Sequence, residues 1–152
     1  MDIAKNAQAI LDYVNTAVGG QGLAFDANGV AAMTVDGDIA CLFCLVEPDH
    51  ELVVTLYLGR VHETDAPLLH EMLCGNYMGA YTGGGTLGID AQENLVALHQ
   101  HFPLPVDEPA WIEEPLAALV GAARYWRAKV KAASSGPAAP APNAPAPGMI
   151  RI

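Results

Sequence analysis

The chain has 152 residues, of which 52% are hydrophobic, and its formal net charge is −10; this length and apolar content predict a single domain with one core. The acidity argues against nucleic acid as a partner, because an acidic protein repels phosphate backbones. The longest apolar run, Ile39–Val46, is far too short to cross a membrane, so no membrane insertion is expected.

The first half of the chain predicts one helix followed by three strands. Apolar residues recur at helical spacing from Ile3 to Val18, and the pair Gly19-Gly20 supplies a stop. Three strand-like segments follow, VAAMTV, IACLFCLV and LVVTLYLGRV, which are separated by the turn-forming sequences DGD and EPDHE. Short turns between apolar strands favour an antiparallel meander.

The second half adds a helix, two strands and a final helix. Asp65 is placed to cap the second helix. Short strands are predicted at about residues 85–89 and 95–101. A third helix is predicted at about residues 107–132, with Pro115 marking a kink or a delayed start.

The order of these elements, α-β-β-β-α-β-β-α, predicts an α+β domain with a mainly antiparallel sheet flanked by helices. This domain is assigned to residues 1–133. Residues 134–152 contain the Ala/Pro-rich sequence SSGPAAPAPNAPAPG followed by the apolar sequence MIRI. Such a composition favours an extended conformation and cannot build a core, so these residues are predicted to form a tail outside the domain.

A glycine-rich sequence, YTGGGTLGID, contains Gly83, Gly85 and Gly88 at the G-x-G-x-x-G spacing of a dinucleotide-binding loop. Such a loop follows a strand and opens a helix, whose N-terminal amides bind the pyrophosphate. Here the predicted order is helix, glycines and strand. We therefore interpret the glycines as residues that let the backbone leave the second helix, and no cofactor is expected.

The cysteines and histidines do not form a recognisable site either. Cys41 and Cys44 are three residues apart in a predicted strand, which sends their side chains to opposite faces, so they are interpreted as buried small hydrophobic residues. His99 and His101 share a strand face, but a third metal ligand at a readable spacing is missing. Catalytic motifs are missing as well, so no metal and no enzymatic activity are predicted.

The expected compartment follows from the N-terminus and the cysteine count. The N-terminal sequence MDIAKNAQAI begins with an acid and lacks the basic and apolar segments of a signal peptide. Three cysteines, an odd number, do not make a disulfide framework, which favours a reducing compartment. The protein is therefore expected in the cytoplasm.

Taken together, these segments resemble the Tir-chaperone (CesT-like) family of type III secretion chaperones over about residues 1–132. The sequences that carry the resemblance are LLHEMLCGNYM, TLGIDAQENLVALHQHFPL and LAALVGAARYWRAKV. Family members similarly have a leucine-rich helix that ends near an asparagine, here Asn76, then a strand-turn-strand unit and a final helix that ends with an aromatic residue, here Trp126. The acidity, the length and the missing active site agree with this resemblance.

The resemblance implies a non-enzymatic homodimer that binds the N-terminal region of a secreted effector polypeptide in largely extended form and keeps it export-competent. It also implies that the second helix and the following strand form the dimer interface, for which the candidates are Leu69, Met72, Leu73, Leu87 and Ile89. For the client-binding surface we select apolar residues of the first helix and the first sheet, namely Leu11, Val14, Phe25, Met33 and Phe43. Packing within the chain's own core is the alternative for every residue of both sets.

Two further hypotheses stay open. The fold could serve as a regulatory or structural protein-binding module that has no export client. In addition, the apolar tip of the tail, APAPGMIRI, could dock on an apolar patch of its own or a neighbouring copy in place of a client.

Overall fold

The computed structural model describes residues 2–19 and 22–135. Its helices and strands follow the predicted order: α1 (Ile3–Ala17), β1 (Val30–Val35), β2 (Ile39–Val46), β3 (Glu51–Arg60), α2 (Ala66–Asn76), β4 (Thr86–Asp90), β5 (Leu95–Pro103) and α3 (Glu113–Ser135). Short 3-10 turns lie before β3, after α2 and before α3, at Glu47–Asp49, Tyr77–Gly79 and Pro109–Ile112. The α+β prediction is confirmed, and β1 and β2 have the predicted bounds.

The five strands form one sheet in the order β1-β2-β3-β5-β4, and every neighbouring pair is antiparallel. The predicted meander of β1, β2 and β3 is confirmed. β5, rather than the preceding β4, pairs with β3, so β4 lies at the far edge of the sheet. β1 and β4 therefore form the two edges.

Helices α1 and α3 cover one face of the sheet, and α2 lies beside α3 at the β4 edge. Buried and half-buried residues alternate along β3, as expected for a sheet that is covered on one side. The side chain of Trp126 is buried between α2 and α3, and its Nε1 donates a hydrogen bond of 2.8 Å to the carbonyl of Tyr81. Within the described residues, no helix combines the length and the apolarity that a membrane span requires.

The glycine-rich segment between α2 and β4 packs directly on the backbone of α3. Gly83 has a φ of +60°, and a Cβ atom there would overlap the carbonyl of Ala118. A Cβ atom on Gly85 would lie 2.6 Å from the Cδ1 atom of Leu119. These close approaches require glycine, so the interpretation of this segment as a backbone feature agrees with the structure.

Helix α3 begins six residues later than the predicted position near residue 107. Residues Pro109–Ile112 form a 3-10 turn, and the helix proper begins at Glu113. Pro115 therefore lies in the first turn, where its missing N–H costs no helical hydrogen bond. Of the two alternatives predicted for Pro115, a kink or a delayed start of the helix, the structure supports the delayed start.

Helix α3 also continues past the predicted domain boundary at residue 133. The hydroxyl of Ser134 donates to the carbonyl of Val130 at 2.9 Å, and the hydroxyl of Ser135 donates to the carbonyl of Lys131 at 2.8 Å. These local bonds accommodate both serines in the last turn of the helix. The rest of the predicted tail, residues 136–152, and with it the APAPGMIRI hypothesis, lies outside the described residues.

Candidate functional site

An apolar groove with a volume of 270 Å³ lies between α1, α3 and the β1–β2 hairpin. Its apolar lining comes from all of these elements: Val14, Val18, Met33, Val35, Cys41, Phe43, Leu116 and Val120. The α3 residues lie four positions apart and therefore face the same way along the helix. Val18, at the end of α1, is 38% exposed and forms part of the open rim.

An ion pair bounds the groove where β1 ends. The Nε and Nη2 atoms of Arg124 donate hydrogen bonds to the two carboxylate oxygens of Asp36, at 2.6 and 2.9 Å. The hydrogen bond from Arg124 lowers the pKa of Asp36, and the same bond raises the pKa of Arg124. Among the described residues, these are the charged side chains that line the groove, and each already has the other as its partner.

A second arginine of α3 holds the same hairpin. Arg127 donates to the carboxylate of Asp38 at 3.2 and 3.3 Å and to the carbonyl of Leu58 at 2.8 Å. The Leu58 carbonyl lies at a bulge between β3 and β5, where the register shifts. Two ion pairs, Arg124–Asp36 and Arg127–Asp38, therefore connect the β1–β2 turn to successive turns of α3. They hold the walls of the groove together.

The β1 edge beside the groove carries backbone groups that face away from the sheet. Val30 directs its N–H and C=O groups outward, where both bond to Asp26. Because these groups alternate along an antiparallel edge strand, those of Ala32 and Thr34 point outward in the same way. Within the described residues, the outward groups of Ala32 and Thr34 have no hydrogen-bond partner. They offer the donors and acceptors to which another strand can pair.

The β4 edge is closed at the corresponding place by a side chain. Asn76, at the end of α2, donates from Nδ2 to the carbonyl of Leu87 at 3.0 Å and accepts from the Leu87 N–H at 2.8 Å. The amide group thus occupies the outward N–H and C=O of Leu87 as a paired strand would, whereas by the same alternation those of Ile89 have no partner among the described residues. The β1 edge leaves two consecutive outward-facing residues open and lies beside the groove, so of the two edges it is the better placed for strand addition.

A second apolar surface surrounds the end of α2. Leu73 is 71% exposed and Met78 is 87% exposed, and Tyr77 and Tyr81 are exposed as well. We call these four residues the α2 surface. Large apolar side chains grouped on a surface mark an interaction site more often than isolated ones do. Tyr77, Met78 and Tyr81 were missing from the predicted interface, although the sequence NYMGAY places three large side chains directly after the helix end expected near Asn76.

The predicted dimer-interface residues divide into exposed and buried ones. Leu73 and Ile89 are exposed and Leu69 is half-buried, so these three have surface to offer a partner. Met72 and Leu87 are buried in the chain's own core and have almost none. The structure corrects their assignment, because the stripe of α2 that includes Met72 faces inward.

Three of the five predicted client-binding residues line the groove, namely Val14, Met33 and Phe43. Met33 is half-buried on the wall, whereas Phe43 is completely buried and forms the floor. Leu11 is also completely buried, in the core, and Phe25 is half-buried outside the groove lining. The assignment of Leu11 and Phe43 to an exposed surface is therefore corrected: aspartate at either position would test folding rather than binding.

The two cysteines and two histidines of the predicted strands lie on the sheet as the strand pattern predicts. Cys41 faces the core, and burial raises the pKa of its thiol to about 12; Cys44 lies half-buried on the other face. The rings of His99 and His101 are 5.7 Å apart on that other face, and the Nδ1 atom of His101 lies 2.6 Å from a carboxylate oxygen of Glu51. Across residues 2–19 and 22–135, no group of three or more His, Cys, Asp or Glu side chains is arranged to hold a metal ion.

The chain belongs to the Tir chaperone protein (CesT) family, whose model matches residues 10–127. This match spans the second half of α1, the whole sheet, α2 and most of α3, including every residue of the groove. The resemblance inferred from the helix and strand sequences is thereby confirmed. Among curated protein sequences, none matches the chain at a significant level.

Solved structures share the fold over nearly their whole length. A chain of the HopA1–SchA chaperone–effector complex is 22% identical, with a TM-score of 0.68, and the match covers 84% of this chain and 98% of that chain. A chain of the ExsC–ExsE complex is 17% identical, with a TM-score of 0.72 and coverages of 86% and 97%. A chain of the complex between the Yersinia pestis type III secretion chaperone SycH and a stable fragment of YscM2 is 18% identical, with a TM-score of 0.61 and coverages of 79% and 98%. At these identities the similarity concerns the fold.

Proposed function

We propose that this protein is a non-enzymatic chaperone that binds the N-terminal region of a type III secreted effector and keeps it soluble and export-competent. Membership of the Tir chaperone family supports the class of function. The HopA1–SchA structure is a complex of a chaperone with an effector, which supports an effector as the partner here. The observation that carries the proposal is the outward-facing β1 edge beside the apolar groove.

The β1 edge explains how an extended polypeptide is held. An added strand exchanges main-chain hydrogen bonds with Ala32 and Thr34, which requires no particular client sequence. Every second side chain of that strand lies on the same face of the sheet as Met33 and Val35, and that face is the groove. The main chain therefore supplies affinity, and the groove selects apolar side chains.

The size and the chemistry of the groove suit side chains better than a small-molecule substrate. Its 270 Å³ is below the roughly 300–1,000 Å³ of typical small-molecule sites. Burial of each aliphatic side chain contributes about 1.5–3 kcal/mol, so two such residues suffice for a useful share of the binding energy. Among the described residues that line the groove, Asp36 and Arg124 are bonded to each other, and burial raises the pKa of the Cys41 thiol to about 12, so these groups are not placed to act as an acid, a base or a nucleophile.

The α2 surface is proposed to bind a second copy of the chain. Leu73, Tyr77, Met78 and Tyr81 form a patch on one protomer, and a two-fold axis through it would bring the same patch of the other protomer into contact. The groove lies on the other side of α3 from α2, at the opposite edge of the sheet. A homodimer formed this way leaves both grooves open to clients.

The charge distribution supports a client segment that is neutral or basic. All 17 acidic residues lie between Asp2 and Glu114, where only Lys5 and Arg60 are basic. An acidic surface keeps the complex soluble and attracts a basic segment more than an acidic one.

The test is native mass spectrometry of the full-length protein purified gently from its own cells, as wild type and as two variants. Val18→Asp places a charge on the exposed rim of the groove without entering the core. Ala17→Asp is the matched control, because this exposed residue precedes Val18 at the end of α1 but does not line the groove. We expect a dimer carrying one additional polypeptide for the wild type and the control, and a dimer without it for Val18→Asp.

Two results would count against the proposal in different ways. A Val18→Asp protein that keeps its client at the wild-type ratio would exclude the groove as the binding site. A dimer without any additional polypeptide in all three preparations would favour the alternative, a regulatory or structural module without an export client.

A further inference from the structure

We infer that residues 148–152, Gly-Met-Ile-Arg-Ile, occupy the apolar groove of their own chain when no effector is bound. The tail then regulates the site by competing with the effector, so this inference rests on the proposed function of the groove. It is carried by the reach of the tail, by its pattern of prolines and apolar residues, and by charge.

The chain that follows α3 is long enough to return to the groove. Leu116, Val120 and Arg124 line the groove, and α3 continues to Ser135. At 1.5 Å per residue, Leu116 lies about 29 Å from the end of the helix. Residues 136–148 span roughly 40 Å when extended at about 3.1 Å per residue. Residues beyond this spacer can therefore reach any part of the groove.

The geometry of α3 also gives the direction of approach. Arg124 is the groove residue of α3 nearest to Ser135, and it pairs with Asp36 where β1 ends. A chain that returns from Ser135 therefore meets this end of the groove first and runs antiparallel to β1. Antiparallel pairing brings its main chain to the outward groups of Ala32 and Thr34.

The proline pattern selects which part of the tail can pair with β1. Residues 137–147 contain five prolines, spaced two or three residues apart, and proline has no N–H to donate to a neighbouring strand. Residues 148–152 contain none. They are thus the first segment after α3 that can form consecutive main-chain hydrogen bonds with the β1 edge.

The apolar residues of this segment match the groove. In an extended strand, Ile150 and Ile152 point to one face, and Met149 and Arg151 point to the other. With the two isoleucines in the groove, Arg151 stays at the surface. A positive charge is favourable there, because the domain carries 17 acidic residues between Asp2 and Glu114.

A tethered segment competes well even when its own affinity is weak. A short tether gives an effective concentration of about 1 mM, so a tip with an intrinsic dissociation constant of about 0.1 mM weakens the binding of an external peptide about tenfold. A tightly binding effector still displaces it. The groove would thus be covered while the effector is missing and opened by the effector itself.

The test uses the full-length chain and a fluorescein-labelled peptide of residues 141–152 as the probe. Ile150→Asp/Ile152→Asp removes the apolar tip, and Ala144→Asp/Ala146→Asp is the matched control that adds the same charge to the spacer. We expect the tip variant to bind the peptide about tenfold more tightly than the wild type and the control, and we expect Val18→Asp in the tip variant to abolish this binding. Equal affinities for the wild type and the tip variant, or peptide binding that survives Val18→Asp, would overturn the inference.

Methyl NMR of methionine distinguishes a tail bound in the groove of its own chain from a tail bound in the groove of a neighbouring copy. The Met33 methyl group lies on the groove wall, whereas Met72 is buried in α2 and serves as the internal reference. We expect the Met33 signal to differ between the wild type and the tip variant and to stay constant on dilution. A Met33 signal that changes with protein concentration would indicate a neighbouring copy's tail and would overturn the inference.

The two proposals fail on different results. If Val18→Asp releases the effector but the tip variant leaves peptide affinity unchanged, the inference fails and the proposed function stands. If the tip occupies the groove but Val18→Asp retains the effector, the groove is a tail site and is excluded as the effector-binding site.

Discussion

Substitution of Gly75 by alanine tests how closely α2 and α3 pack, because two opposing effects meet at this position. Gly75 lies in the last turn of α2, and a Cβ atom there would overlap the Cζ2 atom of Trp126 and lie 3.0 Å from Cη2. The indole cannot easily withdraw, since it is buried and its Nε1 atom is bonded to the Tyr81 carbonyl at 2.8 Å.

The packing effect is expected to exceed the gain in helix propensity. Alanine is favoured over glycine by about 1 kcal/mol in a helix interior, and by less in a last turn. Overpacking of a closely filled core costs about 1–3 kcal/mol. We therefore expect Gly75→Ala to lower the free energy of unfolding by about 1–2 kcal/mol.

Gly121 provides the matched control for this prediction. It lies in α3, it is exposed, and no heavy atom lies within 4 Å of an added Cβ atom. Gly121→Ala should therefore raise the free energy of unfolding by about 0.5–1 kcal/mol. Urea unfolding followed by far-UV circular dichroism measures both changes. If Gly75→Ala and Gly121→Ala changed the free energy of unfolding in the same direction, the close packing of α2 on Trp126 would be refuted.

Three further outcomes are expected. Asn76→Ala removes two hydrogen bonds to the backbone of β4 and should cost about 2 kcal/mol of unfolding free energy, whereas Asn28→Ala, at an exposed turn, should cost almost nothing in the same urea titration; equal costs would contradict the role of the amide. Leu73→Asp should split the dimer, because a charge would be buried without a partner, and an unchanged dimer mass in light scattering would reject the α2 surface. A thiol reagent at pH 8 should label the exposed Cys74 in the native protein but Cys41, with its pKa raised to about 12, only after unfolding; fast labelling of Cys41 would contradict its place in the core.

Local patterns predicted the elements because turns and caps act within a few residues. The Asp-Gly sequence between β1 and β2 and the Asp65 cap of α2, whose carboxylate accepts from the Leu68 N–H at 3.2 Å, can both be recognised in the sequence alone. The position of β5 between β3 and β4 could not be predicted this way. It depends on a pairing between residues that are about forty positions apart, which no local pattern encodes.

The candidate site was predicted only in part, because β2 is apolar on both faces. The sequence IACLFCLV places Cys41 and Phe43 on one face, but it does not indicate which face the helices cover. Phe43 was therefore assigned to the surface, although it forms the floor of the groove. Asp36 and Arg124 are 88 positions apart, so their ion pair required the folded chain to be recognised.

The most direct test of the central claim, that an effector strand pairs with β1, is amide hydrogen exchange at single-residue resolution. The complex isolated from the protein's own cells would be compared with the effector-free Ile150→Asp/Ile152→Asp variant, which lacks the apolar residues that we propose to cover the edge. We expect the amides of Ala32 and Thr34 to exchange at least about tenfold more slowly in the complex, because they gain hydrogen-bond partners. The Leu87 amide is already bonded to Asn76, so it should exchange at the same rate in both samples. Unchanged exchange at Ala32 and Thr34 in a complex that retains its effector would contradict binding at the β1 edge.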